Sequence, residues 1–431
     1  MSQIPHTKAE RIRTSLQATR ERRKGQQAKV YQLKLQNLSE KQVADLDRAF
    51  LESKWLYNWL LEDTERRLEE DVGKVKEVPV KVGETFETRK LHLLGSQIKQ
   101  EIRDRLKDSL RSLAQLKKRG HKVGRLRFKP FVNSIPLKQY GITYKVDFER
   151  NRVRIQKLGS FRVLGLHQIP TGAELASAVL VRRPSGYYLH LVAYVPKDEG
   201  SKGGDKEGVG ELPPVGLDLG VKHQLTLSNG LRFEYGIPPS RRVRRLHRQL
   251  SRKEKGSKNY AHIRHLLRRE YEKLNNRKRD IQNKLLAFLR RYPKVVLQDD
   301  QVKGWQEGLF GKKVHATAIG GLKGRLKASL PTLVALGPYE TTSRECFRCG
   351  ARLDLTLQDR YIRCTCGWEA DRDHNAALVI LRKGLGIPSE DALGLDRPEV
   401  TPLEMRAAVR IVGSNPYVRI SSVVEGGSPP L

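Results

Sequence analysis

The first half of the chain alternates between apolar patterns typical of strands and patterns typical of helices. Residues 29–38 alternate with the period of a strand, and the segment after them carries apolar residues at helical spacing. Ser39 and Gln42 have the spacing of a capping box at the start of that helix. A second helix is predicted from about residue 87 to residue 118.

The pattern then changes to short strands. From Arg125 to Pro196, alternating segments are separated by Gly, Pro and Asn, which predicts a small antiparallel barrel or sandwich. Residues 1–28 have no hydrophobic period strong enough to place them in a core, so they are interpreted as a flexible basic arm. Residues 197–214 are Gly-rich, charged and without periodicity, which indicates a linker or a long surface loop.

The second half mixes strands with basic helices. Residues 214–235 predict two strands, with a hairpin turn at residues 228–230, Ser-Asn-Gly. Residues 239–291 predict two strongly basic helices, and the apolar run that ends at residue 298 predicts a short buried strand. A last helix is predicted to begin near residue 371.

The chain is strongly basic. Its 431 residues include 83 Lys and Arg against 48 Asp and Glu, a formal net charge of +35. A charge of this size attracts polyanions and repels itself without one, which favours a nucleic-acid partner over a merely basic soluble protein. No apolar run approaches the roughly 18 residues that span a bilayer, and the N-terminus lacks the apolar stretch of a signal peptide. We therefore expect a cytosolic protein without a membrane partner.

The cysteines predict a metal site. All four lie between positions 346 and 366, in two close pairs each followed by glycine: Cys346, Cys349, Cys364 and Cys366. Disulfide frameworks are not clustered in this way, whereas two such turns bring four thiolates around one Zn²⁺, as in a zinc ribbon. The second pair is CxC, one residue shorter than the usual CxxC. Four thiolates leave no open coordination position, so the predicted zinc is structural.

Acidic residues stand out at three separated places. Asp218 lies within an apolar strand, Asp299 and Asp300 follow another, and Asp371 and Asp373 open a helix. A carboxylate among apolar neighbours is costly unless it is paired or metal-bound. Two Mg²⁺ ions about 4 Å apart, bridged by such carboxylates, can hold both the attacking and the leaving oxygen of a phosphodiester.

Each acid also has a simpler interpretation. Asp371 or Asp373 could cap the helix, and Asp299 could be a solvated strand end. Asp218 could belong to a phosphate-binding hairpin of the DxG type. Taken separately, these residues leave both interpretations open.

The order of the motifs resembles the RuvC-like nuclease half of the TnpB family, the OrfB-type proteins of small bacterial and archaeal insertion sequences. The matching segments are GLDLGVK, a basic helical pair, VVLQDDQVKGW, TTSRECFRCG and DRDHNAALVIL. Weaker similarity begins with KVYQLKLQNLSEKQ, FLESKWLYNWLLED and GHKVGRLRFKP, so that the resemblance covers most of residues 29–385. Members of this family are RNA-guided DNA endonucleases similar to the compact type V CRISPR effectors.

The resemblance implies catalytic roles for Asp218 and Asp373, with Asp371 as a neighbouring acid that assists or caps. Gln298 stands where the family pattern has Glu, and a neutral amide is a poorer Mg²⁺ ligand than a carboxylate. Residues two apart on an extended strand point to the same face, so Asp300 would project on the side of Gln298, one strand repeat further along. We therefore expect Asp300 to supply the middle carboxylate, and the intervening aspartate to point away.

The implied fold class is α/β plus a small β-barrel. It consists of an RNase H-like (RuvC) nuclease domain with an inserted zinc ribbon, and of an N-terminal wedge-like β-barrel with an inserted helical recognition domain. The expected domains are an arm at 1–28, the wedge-like barrel at 29–196 with its recognition segment at about 39–125, a linker at 197–214, the first RuvC-like part at 215–340, the zinc ribbon at 341–370, the last RuvC-like helix at 371–390 and a C-terminal tail at 391–431.

The implied function is hydrolysis of DNA by metal-activated water, with two Mg²⁺ ions (Mn²⁺ also suits the site) and structural Zn²⁺. A guide RNA would select the target DNA, together with a short flanking motif. A monomer in the prokaryotic cytosol, nucleoid-associated when bound to DNA, is expected. The alternative is a nuclease-dead RNA-guided DNA-binding protein of repressor type, which the glutamine at 298 favours. An autonomous transposase is disfavoured, and an RNA-binding structural protein would not explain Asp218.

Two sets of residues are candidates for nucleic-acid contact. A basic helical face is suited to phosphates, although it could also be a solvated charged helix, and comprises Arg241, Arg242, Arg244, Arg245, Arg248, Arg252 and Lys253. Trp55, Tyr57 and Trp59 could stack on bases, but at this spacing one or two of them are expected in the core of their helix.

Overall fold

The computed structural model describes residues 7–196, 212–308, 311–356, 358–396 and 400–423. The chain divides into two compact units, residues 1–199 and 200–431. The predicted linker at 197–214 lies almost wholly outside the described residues. Among the described helices, none is long and apolar enough to cross a bilayer.

The first unit combines one large antiparallel sheet with three main helices. Its elements, in chain order, are α1 (Lys8–Lys24), β1 (Gln26–Gln36), α2 (Glu40–Glu62), α3 (Thr64–Arg67), β2 (Glu77–Val82), β3 (Thr85–Lys90), α4 (Ser96–Lys118), β4 (Ser134–Leu137), β5 (Tyr144–Asp147), β6 (Arg152–Ile155), β7 (Gly159–Leu164), β8 (Glu174–Arg183) and β9 (Gly186–Pro196).

The large sheet is a nearly closed barrel. Its strand order is β4-β8-β9-β1-β7-β6-β5, and the two outermost strands, β4 and β5, follow each other in the chain. Residues 138–143 connect them, and six residues reach about 20 Å at most, so the two edges must lie close together. The alternating inward residues of these strands form the core of the unit, with Leu33, Leu180 and Leu189 fully buried. The predicted small antiparallel barrel is thereby confirmed.

Two predictions in this unit are wrong. Residues 8–24 of the predicted flexible arm form α1, because Thr7 and Glu10 make a reciprocal capping box and Arg22 and Arg23 pair with Glu174 at 2.9 and 2.7 Å. The helix predicted from residue 87 begins only at Ser96.

The residues before Ser96 form a hairpin instead. Strands β2 and β3 pair antiparallel from Val82 with Thr85 to Glu77 with Lys90. Gly83 opens the two-residue turn between them with φ +62°, a conformation that favours glycine. The alternating apolar residues of this segment fit a strand, and the helical period begins only after it, at Ser96.

The second unit contains a mixed sheet, a long helical pair and a small cysteine-containing hairpin. Its elements are β10 (Val215–Asp218), β11 (Leu225–Leu227), β12 (Leu231–Tyr235), α5 (Arg241–Ser251), α6 (Lys258–Leu289), β13 (Val295–Gln298), α7 (Val302–Glu307), α8 (Gly311–Thr317), α9 (Ile319–Ser329), β14 (Leu333–Leu336), β15 (Tyr361–Arg363), β16 (Glu369–Asp371), α10 (Arg372–Leu385), α11 (Pro402–Ala408) and β17 (Val418–Ser422).

The mixed sheet has the order β14-β13-β10-β11-β12-β17. Strands β10, β13 and β14 are parallel, whereas β11, β12 and β17 continue the sheet antiparallel. Helix α10 packs directly on β10 and β13, since Gly216 and Gly384 leave no room for a Cβ against Ala377 and Val296 respectively. This close packing holds the start of α10 at the carboxyl end of β10.

Two further predictions are corrected here. The segment predicted as two strands contains three, because β10 ends at Asp218 and a loop at residues 219–224 separates it from the β11–β12 hairpin. The predicted turn at residues 228–230 is present between β11 and β12. The predicted C-terminal tail contains α11, with a capping box at Thr401 and Glu404, and β17, which pairs with β12 along residues 418–422.

Candidate functional site

The carboxyl ends of β10 and β13 bring two predicted site residues side by side. Leu217 pairs with Leu297 in parallel register, so Asp218 and Gln298 follow at the same level of neighbouring strands. Asp218 is half-buried and Gln298 is buried. This edge of the sheet is therefore where the first and middle positions of the predicted site meet.

Asp218 lies among other carboxylates. Burial raises the pKa of Asp218 well above its ordinary value, and the negative charges of Asp373 and Asp300 raise it further. Arg372 opposes this shift. Three chain segments that are far apart in sequence therefore concentrate negative charge at one point.

The start of α10 positions Asp373. Asp371 is the N-cap residue, and its carboxylate accepts hydrogen bonds from the backbone N–H groups of Asp373 at 2.9 Å and His374 at 3.2 Å. Arg232, which is buried on β12, pairs with the same carboxylate at 2.5 Å. His374 in turn lies with Nε2 3.0 Å from the carbonyl oxygen of Ser228. The interpretation of Asp371 as a helix cap is thus the one that the structure shows.

Asp299 and Asp300 have different surroundings. Asp299 pairs with Lys323 at 2.6 Å and Lys327 at 2.5 Å, and these hydrogen bonds lower the pKa of its carboxyl. Burial raises the pKa of Asp300, whose charge acts on Asp218. Lys323 also donates to the backbone carbonyl of Asp300 at 2.5 Å. The carboxylate of Asp299 is paired with two lysines, whereas that of Asp300 is half-buried, and Lys323 contacts both residues.

Gln298 makes two hydrogen bonds to the segment that leads from β14 to the cysteines. Its amide Nε2 donates to the carbonyl oxygen of Glu340 at 2.7 Å, and its Oε1 accepts from the hydroxyl of Thr342 at 2.6 Å. Both amide atoms are thus engaged with the protein itself. In this arrangement Gln298 anchors a loop.

The donor set of the acidic cluster suits a hard divalent cation, because carboxylate oxygens are the ligands that Mg²⁺ prefers. A bound cation would also relieve the mutual repulsion that raises the pKa of Asp218. Asp218, Asp300 and Asp373 are the residues that could hold it. Within the described part of the chain, however, only the four cysteines bring three or more ligand atoms within 4.8 Å of one another.

The cysteine cluster has zinc-like dimensions. The Sγ atoms of Cys346 and Cys366 lie 3.7 Å apart, and those of Cys349 and Cys364 lie 3.6 Å apart. A tetrahedral site with Zn–S bonds of about 2.3 Å separates its sulfurs by about 3.8 Å. The four cysteines are therefore consistent with a zinc ribbon, as their spacing predicted.

Both cysteine pairs sit on tight turns, including the shortened one. Gly350 donates its N–H to the carbonyl of Cys346, and Gly367 donates to that of Cys364, each at 3.0 Å. Both glycines have positive φ, +74° and +82°. The CxC turn therefore closes one residue earlier than the CxxC turn and still directs its thiols to the cluster.

One asparagine connects the ribbon to α10. Asn375 is fully buried, and its Oδ1 accepts from the N–H of Phe347 and from the indole of Trp368, both at 3.0 Å. Its Nδ2 donates to the carbonyl of Glu345 at 2.7 Å. Since Asn375 lies two residues after Asp373, the ribbon directly supports the first turn of α10.

The predicted nucleic-acid residues divide into exposed and buried sets. The basic side chains of α5 and the turn after it are exposed, while Val243 and Leu246 pack inward. Trp55 and Tyr57 are buried, which confirms that two of the three aromatic residues of α2 belong to the core. Exposure of the α5 side chains leaves them accessible to phosphates.

Several residues of the site were missed by sequence reasoning. Arg232 and Asn375 act through buried contacts with segments that are distant in sequence. Nothing in the residues next to them indicates which distant residue each one contacts. Lys323 and Lys327, four residues apart on one helix face, could have been matched to an acidic partner only if the fold were known. Of these residues, Asn375 alone lies inside a recognised motif, DRDHNAA, which could have marked it as part of the site.

Comparisons with known proteins agree with the sequence resemblance. Residues 211–305 match the OrfB_IS605 family model, described as a probable transposase, and residues 327–380 match the Cas12f1-like TNB domain. A Streptomyces pristinaespiralis protein named "Putative RNA-guided DNA endonuclease" is 32% identical over 181 residues, which are 40% of this chain and 45% of that protein. An Acanthamoeba polyphaga mimivirus protein named "Putative transposase" is 26% identical over 193 residues, 39% of each chain.

The matched regions span less than half the length of these two relatives. The resemblance to OrfB-type proteins is confirmed over residues 211–305, and the similarity to Cas12f-like proteins over residues 327–380. These segments contain Asp218, Asp300 and Asp373 as well as all four cysteines.

Proposed function

We propose that this chain, which shares its sheet-forming and cysteine-containing segments with OrfB-type and Cas12f-like proteins, is an RNA-guided DNA endonuclease with a RuvC-like site. The observation that supports the proposal is that Asp218, at the carboxyl end of β10, is close enough to Asp373 and Asp300 for their charges to raise its pKa. The order of the mixed sheet, in which β10, β11, β12 and β17 are successively antiparallel and β13 and β14 are parallel to β10, supports an RNase H-like nuclease domain. The first unit would be the wedge-like barrel with its helical recognition insert.

Each of the acids has a distinct part in this proposal. Asp218, Asp300 and Asp373 would hold Mg²⁺, and the bound metal would supply an activated water and neutralise charge on the scissile phosphate. Asp371 orients Asp373 by capping α10. Asp299 stays outside the site, held by its two lysines.

The proposed partners are a guide RNA and its target DNA. Base pairing to the guide would select the sequence, and the protein would hold the heteroduplex through its backbone. The exposed arginines of α5 and the net charge of +35 support binding of several polyanionic strands. We expect a monomer that acts in the prokaryotic cytosol and is nucleoid-associated when bound to DNA.

The test is cleavage by the ribonucleoprotein purified with the RNA that accompanies it. With Mg²⁺, DNA matched to that RNA should be cut, and Asp218→Asn should lower the cleavage rate at least 1,000-fold while DNA binding stays within about threefold. Asp299→Asn is the matched control, since it removes a neighbouring carboxylate outside the proposed site. Equal cutting by wild-type protein and Asp218→Asn would refute the assignment.

A second candidate function has its own observation. Gln298 stands where the family pattern has a metal-binding glutamate, and its amide is hydrogen-bonded to Glu340 and Thr342. If Asp300 does not compensate, the protein acts by occupying its target, as a repressor would. Wild-type protein that binds matched DNA tightly and never cuts it with Mg²⁺ or Mn²⁺ would favour this function.

A further inference from the structure

A lysine-rich cleft lies in the first unit, far in sequence from the acidic cluster. Its volume is about 910 Å³, and its lining includes Lys74, Lys76, Lys90, Lys99 and Lys157 against one carboxylate, Glu77, among the described residues. The cleft lies where the base of the β2–β3 hairpin meets the first turn of α4 and the β6–β7 turn. Lys74 also pairs with Asp71 at 3.4 Å, and the other four ammonium groups around the cavity repel one another unless an anion joins them.

Lys99 forms the buried part of this cleft. Only 5% of the residue is exposed, and its Nζ donates to the carbonyl oxygen of Val75 at 2.5 Å. Burial and the charge of Lys157 lower the pKa of Lys99. The nearby carboxylate of Glu52 is already engaged by the backbone N–H groups of His92 and Leu93.

The charge of Glu52 raises the pKa of Lys99, but by less than burial and Lys157 lower it, so the ammonium is only partly compensated. Lys99 has one neutral acceptor within hydrogen-bond distance, and an ammonium group can donate three hydrogen bonds. Lys157 is fixed beside it, with Nζ 3.1 Å from the carbonyl of His92 and 3.4 Å from that of Leu94. Both lysines are thus held in place before any ligand arrives.

The start of α4 adds a second source of positive potential. Ser96 begins this helix and lines the cleft, and the N-cap residue Gly95 offers no side-chain oxygen to its free N–H groups. The side chain of Gln156 lies so close to Gly95 that a Cβ there would collide with it. A helix N-terminus favours phosphate groups, and here it faces the same space as the lysines.

We propose that this cleft binds phosphate groups of a nucleic-acid strand, with the buried Lys99 at its base, Lys157 beside it, and the exposed Lys74, Lys76 and Lys90 along its rim. The spread of exposed lysines beyond the two fixed ones suits consecutive phosphates of a strand better than one small anion. The proposal rests on the proposed nucleic-acid partner, and it is independent of DNA cutting.

The experiment measures protection at the cleft itself, because under the proposed function other basic surfaces of the protein would also bind RNA. The full chain is acetylated by an N-hydroxysuccinimide ester with and without a 20-nucleotide oligouridylate, and with oligothymidylate in a parallel arm. Mass spectrometry reports the acetylation rates of Lys76 and Lys90. Lys118, about 33 Å away at the other end of α4, is the internal control.

At ten times the dissociation constant the cleft is free about one tenth of the time, so acetylation of Lys76 and Lys90 should slow about tenfold. In Lys99→Met, which removes the charge and keeps most of the length of the buried side chain, this protection should fall below about twofold, and Lys118 should respond as in wild-type protein. The oligonucleotide that protects Lys76 and Lys90 more strongly shows whether the cleft prefers RNA or DNA.

Equal protection of Lys76 and Lys90 in wild-type protein and Lys99→Met would overturn the proposal, as would their free acetylation while the oligonucleotide is bound. If Lys99→Met does not fold, Lys157→Met changes an exposed side chain and gives the same readout. A wild-type protein that binds neither oligonucleotide would overturn the nucleic-acid partner as well, so the two failures are distinguishable.

Discussion

Replacing Gln298 by glutamate separates its two possible roles. If the position is a metal site, Gln298→Glu restores the family pattern and should raise cleavage. If Gln298 anchors the loop at Glu340 and Thr342, the change puts a carboxylate oxygen against the Glu340 carbonyl, where a hydrogen bond of 2.7 Å now exists. The structure favours the second outcome.

The expected loss of stability in Gln298→Glu follows from the two hydrogen bonds of the Gln298 side chain. The hydrogen bond from Thr342 to Oε1 survives, but the donor to Glu340 is gone and a charge is buried beside Asp218. An uncompensated buried charge costs about 3–5 kcal/mol. For a unit of roughly 200 residues, that lowers the melting temperature by about 6–20 °C.

The assay is calorimetry of the full chain without and with Mg²⁺, together with the cleavage rate. Gln298→Met is the matched control, since it loses both hydrogen bonds without adding charge and should cost about 1–3 kcal/mol. Burial raises the pKa of the introduced carboxyl, so the additional loss should shrink as the pH falls through that raised value. A Gln298→Glu protein that melts like wild-type protein and cuts faster would refute the reasoning.

Four other changes test separate contacts. Asn375→Ala should lower the free energy of unfolding of the second unit by about 1–3 kcal/mol in denaturant titration, since it leaves the buried N–H of Phe347 and two half-buried groups without their partner. Removal of zinc by a chelator should reduce cleavage and loosen the start of α10, seen as faster hydrogen exchange near Asp373. Gly384→Ala should cost about 1–3 kcal/mol, because the new methyl group collides with Val296. Asp218→Asn should stabilise the metal-free protein at neutral pH by about 0.5–2 kcal/mol, and the gain should vanish below about pH 4, where the aspartate is protonated in both states.

Local features of the site could be predicted from the sequence. The cysteine cluster follows from two short turns closed by Gly350 and Gly367, because the conformation of a turn depends on residues that are adjacent in the sequence. The opposite surroundings of Asp299 and Asp300 agree with the two-residue period of a strand. The assignment of Asp218, Asp300 and Asp373 as a catalytic set stays a prediction.

Non-local features could not be predicted. The partners of Gln298 lie 42 and 44 residues further along the chain. Strand β17 pairs with β12, although most of the second unit separates the two strands in the sequence. Such pairings depend on the complete fold, and no local pattern encodes them. The capping box at Thr7 was a readable signal for α1 that the weak hydrophobic period of that segment obscured.

The central claim is that Asp300 supplies the carboxylate that the position of Gln298 lacks. The most direct measurement compares Mg²⁺-dependent cleavage of guide-matched DNA by the ribonucleoproteins of Asp300→Asn and Asp299→Asn at equal occupancy of the DNA. The account predicts loss of cutting in Asp300→Asn and near wild-type cutting in Asp299→Asn. Normal cutting by Asp300→Asn, or loss of cutting confined to Asp299→Asn, would contradict it.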